Sequence, residues 1–544
     1  MKKKYVIGID FGTLSGRTVL LDAQNGFEIA VSELAYPHAV MDEKLPCGKP
    51  LPDKFALQHP ADYLEVLKTT IPEVLKLGNV APDEVAGLGI DFTSCTLMPI
   101  KEDGTPLCMT DRFVSEPHAY VKLWKHHAAQ AEADEVTRVA KERGEDWIDT
   151  FGSKISCEWA VPKILETLRK APEVYEAAER FIEAGDWLSL MLTGEESHAA
   201  AFAGYKAFWR TGIGYPSKEY FAALDPRLEN LIGTKLSSEV HTVEKIAGRL
   251  CERGAALTGL SVGTALALPM IDAHAALSAV GAVNAGDFVM IIGTSSCHIM
   301  HGSTKADVPG ICGYVENGVI PDCTTYEAGQ SAVGDTFAWF VDNLVPAAYT
   351  DDAEKRGISV HALLREKASA LAVGESGLIA LDWMGGNRSV LNNSNLSGMI
   401  IGLTLRTRAE EIYRALLEST AYGSRVIIEQ FEKNGLPVRE IRAAGGIAKK
   451  DPLMMQIYAD VLGKPIHIAD TAQAGAIGSA IYAAYAAGMY PTVNEAAKTL
   501  GVGCSKVYMP ISENVKKYDG LYCEYVKLHD YFGRGENDVM LKLK

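Results

Sequence analysis

Two short stretches, 281 residues apart, constrain this chain more than any other feature. Tyr5-Val-Ile-Gly-Ile-Asp10 and Arg17-Thr-Val-Leu-Leu-Asp22 flank Phe11-Gly-Thr-Leu-Ser-Gly16. A Gly-containing turn therefore joins two strand-like runs, rather than a strand to a helix. The pattern returns at Asp287-Phe-Val-Met-Ile-Ile-Gly-Thr-Ser-Ser-Cys-His-Ile-Met300, where Gly293-Thr294-Ser295-Ser296 aligns with Gly12-Thr13-Leu14-Ser15. An offset of about half the chain points to an internal duplication. Val- and Ile-rich runs alternate with longer helical patterns, the signature of an α/β protein.

The second half holds the clearest helices. Thr407-Arg-Ala-Glu410 reads as a capping box, Ile412, Leu416, Ile427 and Phe431 form the apolar face, and Gly435 supplies the stop. A strand at Glu440-Ile-Arg-Ala-Ala444 leads into Gly445-Gly446. Asp451 as N-cap, Pro452 as first residue and Gly463 as terminator bracket the next helix, and Lys464-Pro-Ile-His-Ile468 is the strand after it. An Ala-rich helix ends near Gly488. A tail helix capped at Ser512 then sets Val515, Tyr518, Tyr522, Tyr525 and Leu528 on one stripe, expected to be core packing. The expected domains are 1–282, 283–500 and a helical tail at 501–544.

With 53 basic and 69 acidic residues the net charge is −16. That argues against nucleic acid as a partner, because such affinity rests on clustered Lys and Arg. Small anions respond to local donors and stay open. The start, Met1-Lys-Lys-Lys-Tyr-Val-Ile-Gly-Ile-Asp10, imitates a signal peptide, but its apolar stretch stops too soon. The uncharged run 471–494 is long enough to span a bilayer. Its Ala and Gly content, with Gln473, Ser479 and Pro491, favours a tightly packed helix and no membrane contact. Ten cysteines without a C-x-x-C pair read as reduced thiols in the cytoplasm.

No G-x-x-x-x-G-K-[ST] and no G-x-G-x-x-G occurs, so P-loop and Rossmann readings lose their main support. What remains is Asp10-x-Gly-Thr-x-Ser-x-Arg17, with Gly293-Thr294 in the other half. Glycine lets backbone approach a phosphate, and threonine adds a hydroxyl donor. Asp10 would repel phosphate unless Mg2+ lay between them, which makes Asp10 the candidate metal ligand. Each turn alone reads more simply as a ligand-free β-turn; two at matching positions shift the balance toward phosphate. His298 and His301, three apart on a strand, face opposite ways and form no metal site. Cys297 takes the place of the last Gly of a hydrolase G-x-S-x-G elbow.

Asp10-Phe-Gly-Thr-Leu-Ser-Gly-Arg17 resembles the first phosphate motif of the FGGY carbohydrate kinases, members of the actin/hexokinase/heat-shock ATPase superfamily. Trp159-x-x-Pro162-Lys163 and Asp186-x-x-x-x-x-Leu192-Thr-Gly194 resemble the family's middle segment. Gly398-Met-Ile-Ile-Gly402-Leu403, seven residues, then Glu411-Ile-Tyr-Arg-Ala-Leu-Leu-Glu418 is similar to its C-terminal signature, and Ala444-Gly-Gly446 to its adenosine motif. Ala203-Gly-Tyr-Lys206-Ala-Phe-Trp209, Asp272-Ala-His274, Gly293-Thr-Ser-Ser-Cys-His298, Tyr326-Glu-Ala-Gly-Gln-Ser-Ala-Val-Gly-Asp335 and Gly386-Asn-Arg-Ser389 resemble, more narrowly, the branch that phosphorylates ribulose. Gly89-Ile-Asp-Phe-Thr-Ser-Cys-Thr96 lacks the Met-His-Gly of the xylulose branch.

The resemblance implies two RNase H-like α/β domains with ATP and a sugar in a cleft between them. It implies ATP-dependent phosphorylation of L-ribulose at the C5 hydroxyl, in L-arabinose catabolism, with Mg2+. Gly12, Thr13, Ser15, Gly293 and Thr294 would hold phosphates, and Gly445-Gly446 would admit adenine. Asp272, read alone, is an N-cap for the helix starting at Ala273; the resemblance makes it the general base. Lys206 and Glu327, otherwise a solvated charge and a turn carboxylate, would bond the ketose, with Asp91 and Thr96 in the same pocket. Arg17 would stabilise γ-phosphoryl charge, a surface ion pair being the alternative. A kinase for D-ribulose, xylulose or glycerol is the rival within this class. A non-phosphorylating, ATP-gated assembly protein like actin is the rival outside it. A homodimer is one assembly open to the chain.

Overall fold

The turn at residues 12–15 closes a hairpin. Strand β1 (Tyr5–Phe11) runs antiparallel to β2 (Ser15–Asp22), with Phe11 opposite Gly16, and β2 antiparallel to β3 (Glu28–Ala35). On its other side β1 pairs in parallel with β4 (Val85–Phe92). An edge strand β5 (Ile246–Arg249) adjoins β6 (Ala265–Ala267), which joins β4 in parallel, as does β7 (Met270–Ile271). The computed structural model describes residues 4–471 and 473–543. The basic start at residues 1–3, and Ala472 within the uncharged run, lie outside the described residues.

A second hairpin, β8 (Asp287–Ile292) with β9 (Ser296–Gly302), places Ile292 opposite Ser296, so its loop is one residue shorter. Strand β10 (Thr324–Gln330) neighbours β9, and β11 (Glu440–Ala444) pairs in parallel with β8. Next come β12 (Ile466–Ala469), parallel to β11, and β13 (Cys504–Tyr508), antiparallel at the edge. The order β10-β9-β8-β11-β12 repeats β3-β2-β1-β4-β6. Two mixed sheets of one topology carry the duplication that the paired turns announced, and match the expected RNase H-like halves.

Two compact units result, each from discontinuous chain: Met1–Asn284, Tyr314–Thr325 and Gln473–Val502 in the first, Ala285–Gly313, Tyr326–Ala472 and Gly503–Lys544 in the second. This differs from the consecutive domains and separate tail expected from sequence. The Ala-rich helix Ala474–Ala486 belongs to the first unit. The tail helix Ser512–Gly533 belongs to the second, where the Tyr518 hydroxyl donates to Glu418 Oε1 at 2.9 Å and that of Tyr525 to Asp382 Oδ1 at 2.7 Å. Its buried stripe is Tyr518, Tyr522, Tyr525 and His529, and Ser512 is its first residue rather than its cap. The signature helix Ala409–Lys433 also starts later than read, with Glu411 rather than Glu410 accepting from the Arg408 N–H at 2.6 Å. The Asp451, Pro452 and Gly463 signals hold, around the helix Pro452–Leu462.

In the first unit β1 and β4 are buried along their centres, and the Ala-rich helix covers them closely. A methyl group on Gly8 would lie 1.8 Å from the Ala476 carbonyl oxygen, and one on Gly89 1.9 Å from that of Ser479. These glycines are present because backbone meets backbone there, not because of turn geometry. The run 471–494 is thus spent largely on packing, and among the described residues no helix is long and apolar enough to cross a membrane.

The turn after β4 rests on buried charge. Lys163 Nζ donates to the carbonyl oxygens of Cys95 (2.6 Å) and Leu123 (2.8 Å), and the Thr96 N–H to Glu183 Oε2 at 2.8 Å. Burial pushes the Glu183 carboxyl up to about 7, against the pull of Lys163, the Thr96 N–H and Lys206.

A Gly89→Ala variant should lose roughly 1–3 kcal/mol or more of stability in denaturant unfolding, because the new methyl has no room; an unchanged midpoint would refute the close packing. Glu183 is protonated more readily when folded, so its contribution is full below the ordinary carboxylate pKa near 4.5 and is lost as pH rises through about 7. Wild type should therefore lose roughly 3 kcal/mol between pH 4.5 and 8 relative to Glu183→Gln. Parallel stability curves would rule this out.

Candidate functional site: a carboxylate row and paired glycine turns

Strand register builds the first half of the site. Asp91 pairs with Asp10, Asp10 with Arg17, and Arg17 with Glu33, so four charged side chains cross β4, β1, β2 and β3 in one row. Partners in register project to the same face. Met270 on β7 pairs with Asp91, and two residues on Asp272 opens the helix Asp272–Ala279. Three carboxyls thus gather at adjacent strand ends.

Their surroundings are tight. Asp91 is fully buried, with its Oδ2 accepting from the Ser479 hydroxyl at 2.6 Å, while its Oδ1 has no hydrogen-bond partner among the described residues. Gly475, in the first turn of the Ala-rich helix, lets that turn close on the pair: a methyl there would sit 3.1 Å from the Asp10 carboxyl and 3.3 Å from Asp91 Oδ1. Burial raises the pKa of both carboxyls; for Asp91 the charges of Asp10 and Asp272 add to it. Crowded, dehydrated carboxyls with an unsatisfied buried oxygen fit a hard divalent cation such as Mg2+.

The Gly12-Thr13 turn is held from behind. The Tyr36 hydroxyl donates to the Gly12 carbonyl (3.0 Å), Gln58 Nε2 to that of Thr13 (2.8 Å), and Trp124 Nε1 to the Thr13 hydroxyl (3.1 Å). A methyl on Gly12 would meet nothing nearer than the Ser15 carbonyl at 3.4 Å, so open space stands over it.

In the second unit Ile291 and Ala444 are register partners on parallel β8 and β11. The Gly293-Thr294 and Gly445-Gly446 turns therefore leave adjacent strand ends side by side. The N–H groups of Val333 and Gly334 donate to Thr294 and Gly293 carbonyls at 2.9 and 3.0 Å, seating the first turn against the helix Gly334–Leu344. The two C-terminal glycines differ in kind. Gly445 has φ +99° and lies over the Ile292 backbone, where a methyl would come within 2.4 Å of its carbonyl oxygen; one on Gly446 would meet nothing within 4 Å among the described residues. Gly445 shapes the turn, and Gly446 leaves room for a ligand.

Several expected roles change. Arg17 is engaged by Glu33, Nη2 at 2.6 Å and Nε at 3.2 Å from Oε2, and the Ser15 hydroxyl donates to Glu33 Oε1 at 2.7 Å. That ion pair forms because β3 sets Glu33 directly opposite Arg17. Thr96 is fully buried, its hydroxyl donating to the Thr93 carbonyl at 2.7 Å, so it supports the turn instead of lining a pocket; Ser94 is the one residue of that turn not buried. Asp272 is half-buried and accepts from the Ala273 N–H at 2.6 Å; it is the first residue of its helix rather than the cap, which is Ile271.

Lys206 is buried, with Nζ 6.0 Å from the centre of the Trp159 ring, rather than solvated. The neighbouring Tyr205 ring lies 4.5 Å from that of His274, which puts Lys206 and Asp272 in one corner of the first unit. In the second unit Glu327 is buried and accepts from Arg388 Nη2 at 2.7 Å. Arg388 lies in the Gly386-Asn-Arg-Ser389 motif, whose sequence alone assigns it no part.

Residues 5–279 match the N-terminal domain of the FGGY family of carbohydrate kinases, and residues 288–487 its C-terminal domain. The ribulokinase of Bacillus licheniformis is 50% identical over 536 residues, 98% of this chain and 97% of that protein. That of Geobacillus thermodenitrificans is 51% identical over 549 residues, 100% and 97%. The xylulose kinase structure from Rhodospirillum rubrum aligns with a TM-score of 0.80 at 21% identity, over 97% of this chain and 98% of that one, a likeness of fold. The chain belongs to the FGGY family of carbohydrate kinases.

Proposed function

We propose that this chain transfers the γ-phosphoryl group of ATP to the C5 hydroxyl of L-ribulose, giving ADP and L-ribulose 5-phosphate. The observation that carries the reading is Asp272, a half-buried carboxylate fixed at a helix start beside Asp91 and in the same corner as Lys206. Full-length identity near 50% to two proteins named ribulokinase supports the choice of sugar.

Asp272 accepts the C5 hydroxyl proton as that oxygen attacks the γ-phosphorus and the bond to the β-phosphate oxygen breaks. Lys206 donates to sugar hydroxyls. Ser94 offers a further hydroxyl beside it, and in the second unit Glu327, held in orientation by Arg388, is an acceptor suited to a polyol. The open faces of Gly12, Gly293 and Gly446 let backbone approach phosphates and nucleotide. Asp10, with Asp91 behind it, would hold Mg2+, which supplies charge neutralisation on the phosphate oxygens when bound. Arg17, through Glu33, fixes the charge row on which Asp10 sits. The scattered, unbridged cysteines favour a reducing cytoplasm.

ADP release measured across ketoses and polyols should be stimulated most by L-ribulose. Preference for xylulose or glycerol would replace the sugar, and release that no sugar stimulates would sink the kinase reading. Asp272→Asn should lower kcat by about 10²–10⁴-fold while ATP binding by calorimetry persists; near-normal turnover would remove Asp272 from its role.

A further inference from the structure

The residues that brace the Gly12-Thr13 turn lead directly to a second group of ionisable side chains. His38 lies two residues beyond Tyr36, His59 follows Gln58, and Asp62 stands in the first turn of the helix Pro60–Gly78. One donor atom from each of the three lies within 4.8 Å of the other two. We propose that His38, His59 and Asp62 form a binding site for a borderline divalent metal, Zn2+ foremost, which clasps the segment after β3 to the start of that helix.

The carboxylate is anchored. Asp62 is 3% exposed, its Oδ1 lies 2.6 Å from His38 Nδ1, and its Oδ2 accepts the His38 main-chain N–H at 3.1 Å. The two imidazoles stack, with centres 4.3 Å apart and planes 18° from parallel. Two histidines and one carboxylate, with a water in the fourth position, are a recurring zinc set. Bonds of about 2.0–2.2 Å require the donors to draw together, which rotation of the two imidazole side chains supplies. The metal takes the place of the hydrogen between His38 Nδ1 and Asp62, and the neutral ring keeps its one proton by carrying it on Nε2 instead. His59 enters with one ring nitrogen, at the expense of its long 3.2 Å bond from the Ala61 N–H. The His38 side chain, 35% exposed, leaves an entry path.

Imidazole donors separate this site from the carboxylate row, whose all-oxygen character suits Mg2+. They also connect the two. Metal bound here ties together the segments whose Tyr36 and Gln58 hold the carbonyls of the first phosphate turn.

The test uses the full-length protein in excess Mg2+, with exposed Cys47, Cys504 and Cys523 alkylated to silence thiol binding. Equilibrium dialysis with Zn2+ should give one bound equivalent, and Tm should climb with the logarithm of free Zn2+. His38→Gln and His59→Gln, each checked for native circular dichroism and sugar-dependent turnover, should weaken binding at least tenfold and abolish the Tm rise. Co2+ should give wild type, but neither variant, the visible absorption of a four-coordinate site. Absence of Zn2+ from the wild type, or equal binding by both variants, would overturn the proposal.

Discussion

The first unit depends on how closely one helix approaches one sheet. Side chains normally keep a helix well off a sheet, yet at Gly8 and Gly89 the backbone of β1 and β4 almost touches the carbonyls of the Ala-rich helix. That approach brings the helix's first turn, through Gly475, onto Asp10 and Asp91, and places Ser479 to hold Asp91. A bulkier seam would lift the turn away and leave two buried carboxyls unsupported. The packing of small residues and the chemistry of the acidic site are one construction.

That construction explains how a chain of net charge −16 can serve a polyanionic nucleotide. Burial raises the pKa of Asp91 and Asp10, and Arg17 lies opposite Asp10 as the one cation of the row. The first turn of the Ala-rich helix brings the positive end of its dipole to the same place. What a phosphate meets is set over a few ångströms, where the total charge of the protein has little influence.

Local signals were legible in sequence wherever a residue's own neighbours decide its state. The two hairpins, the Gly435 stop and the Asp451-Pro452 helix start all depend on a few consecutive residues, and the structure contains them. The row from Asp91 to Glu33 needs the register of four strands, which no local pattern supplies, so the sequence leaves two partners open for Arg17 and does not point to Glu33. Thr96 shows the same limit. Its segment points toward a sugar site, but which hydroxyl faces outward depends on Glu183 and Lys163, both distant in sequence. The tail stripe was read as core packing, though the unit it packs into was not. Arg388 sat in a recognised motif, yet only its contact with Glu327 gives it a part.

The discontinuous make-up of the first unit bears on how the chain is made. A ribosome releases β1 and β4 early, and the helix that closes over them only after some four hundred further residues have been added. Domains that complete themselves from consecutive chain can fold as they emerge; this one pairs its beginning with its near end, a slow and non-local closure. Until residue 486 is free, the sheet face carrying Gly8 and Gly89 lacks its native cover. The small residues that later permit such close contact leave the backbone of that face bare in the meantime, exposed to the wrong partner.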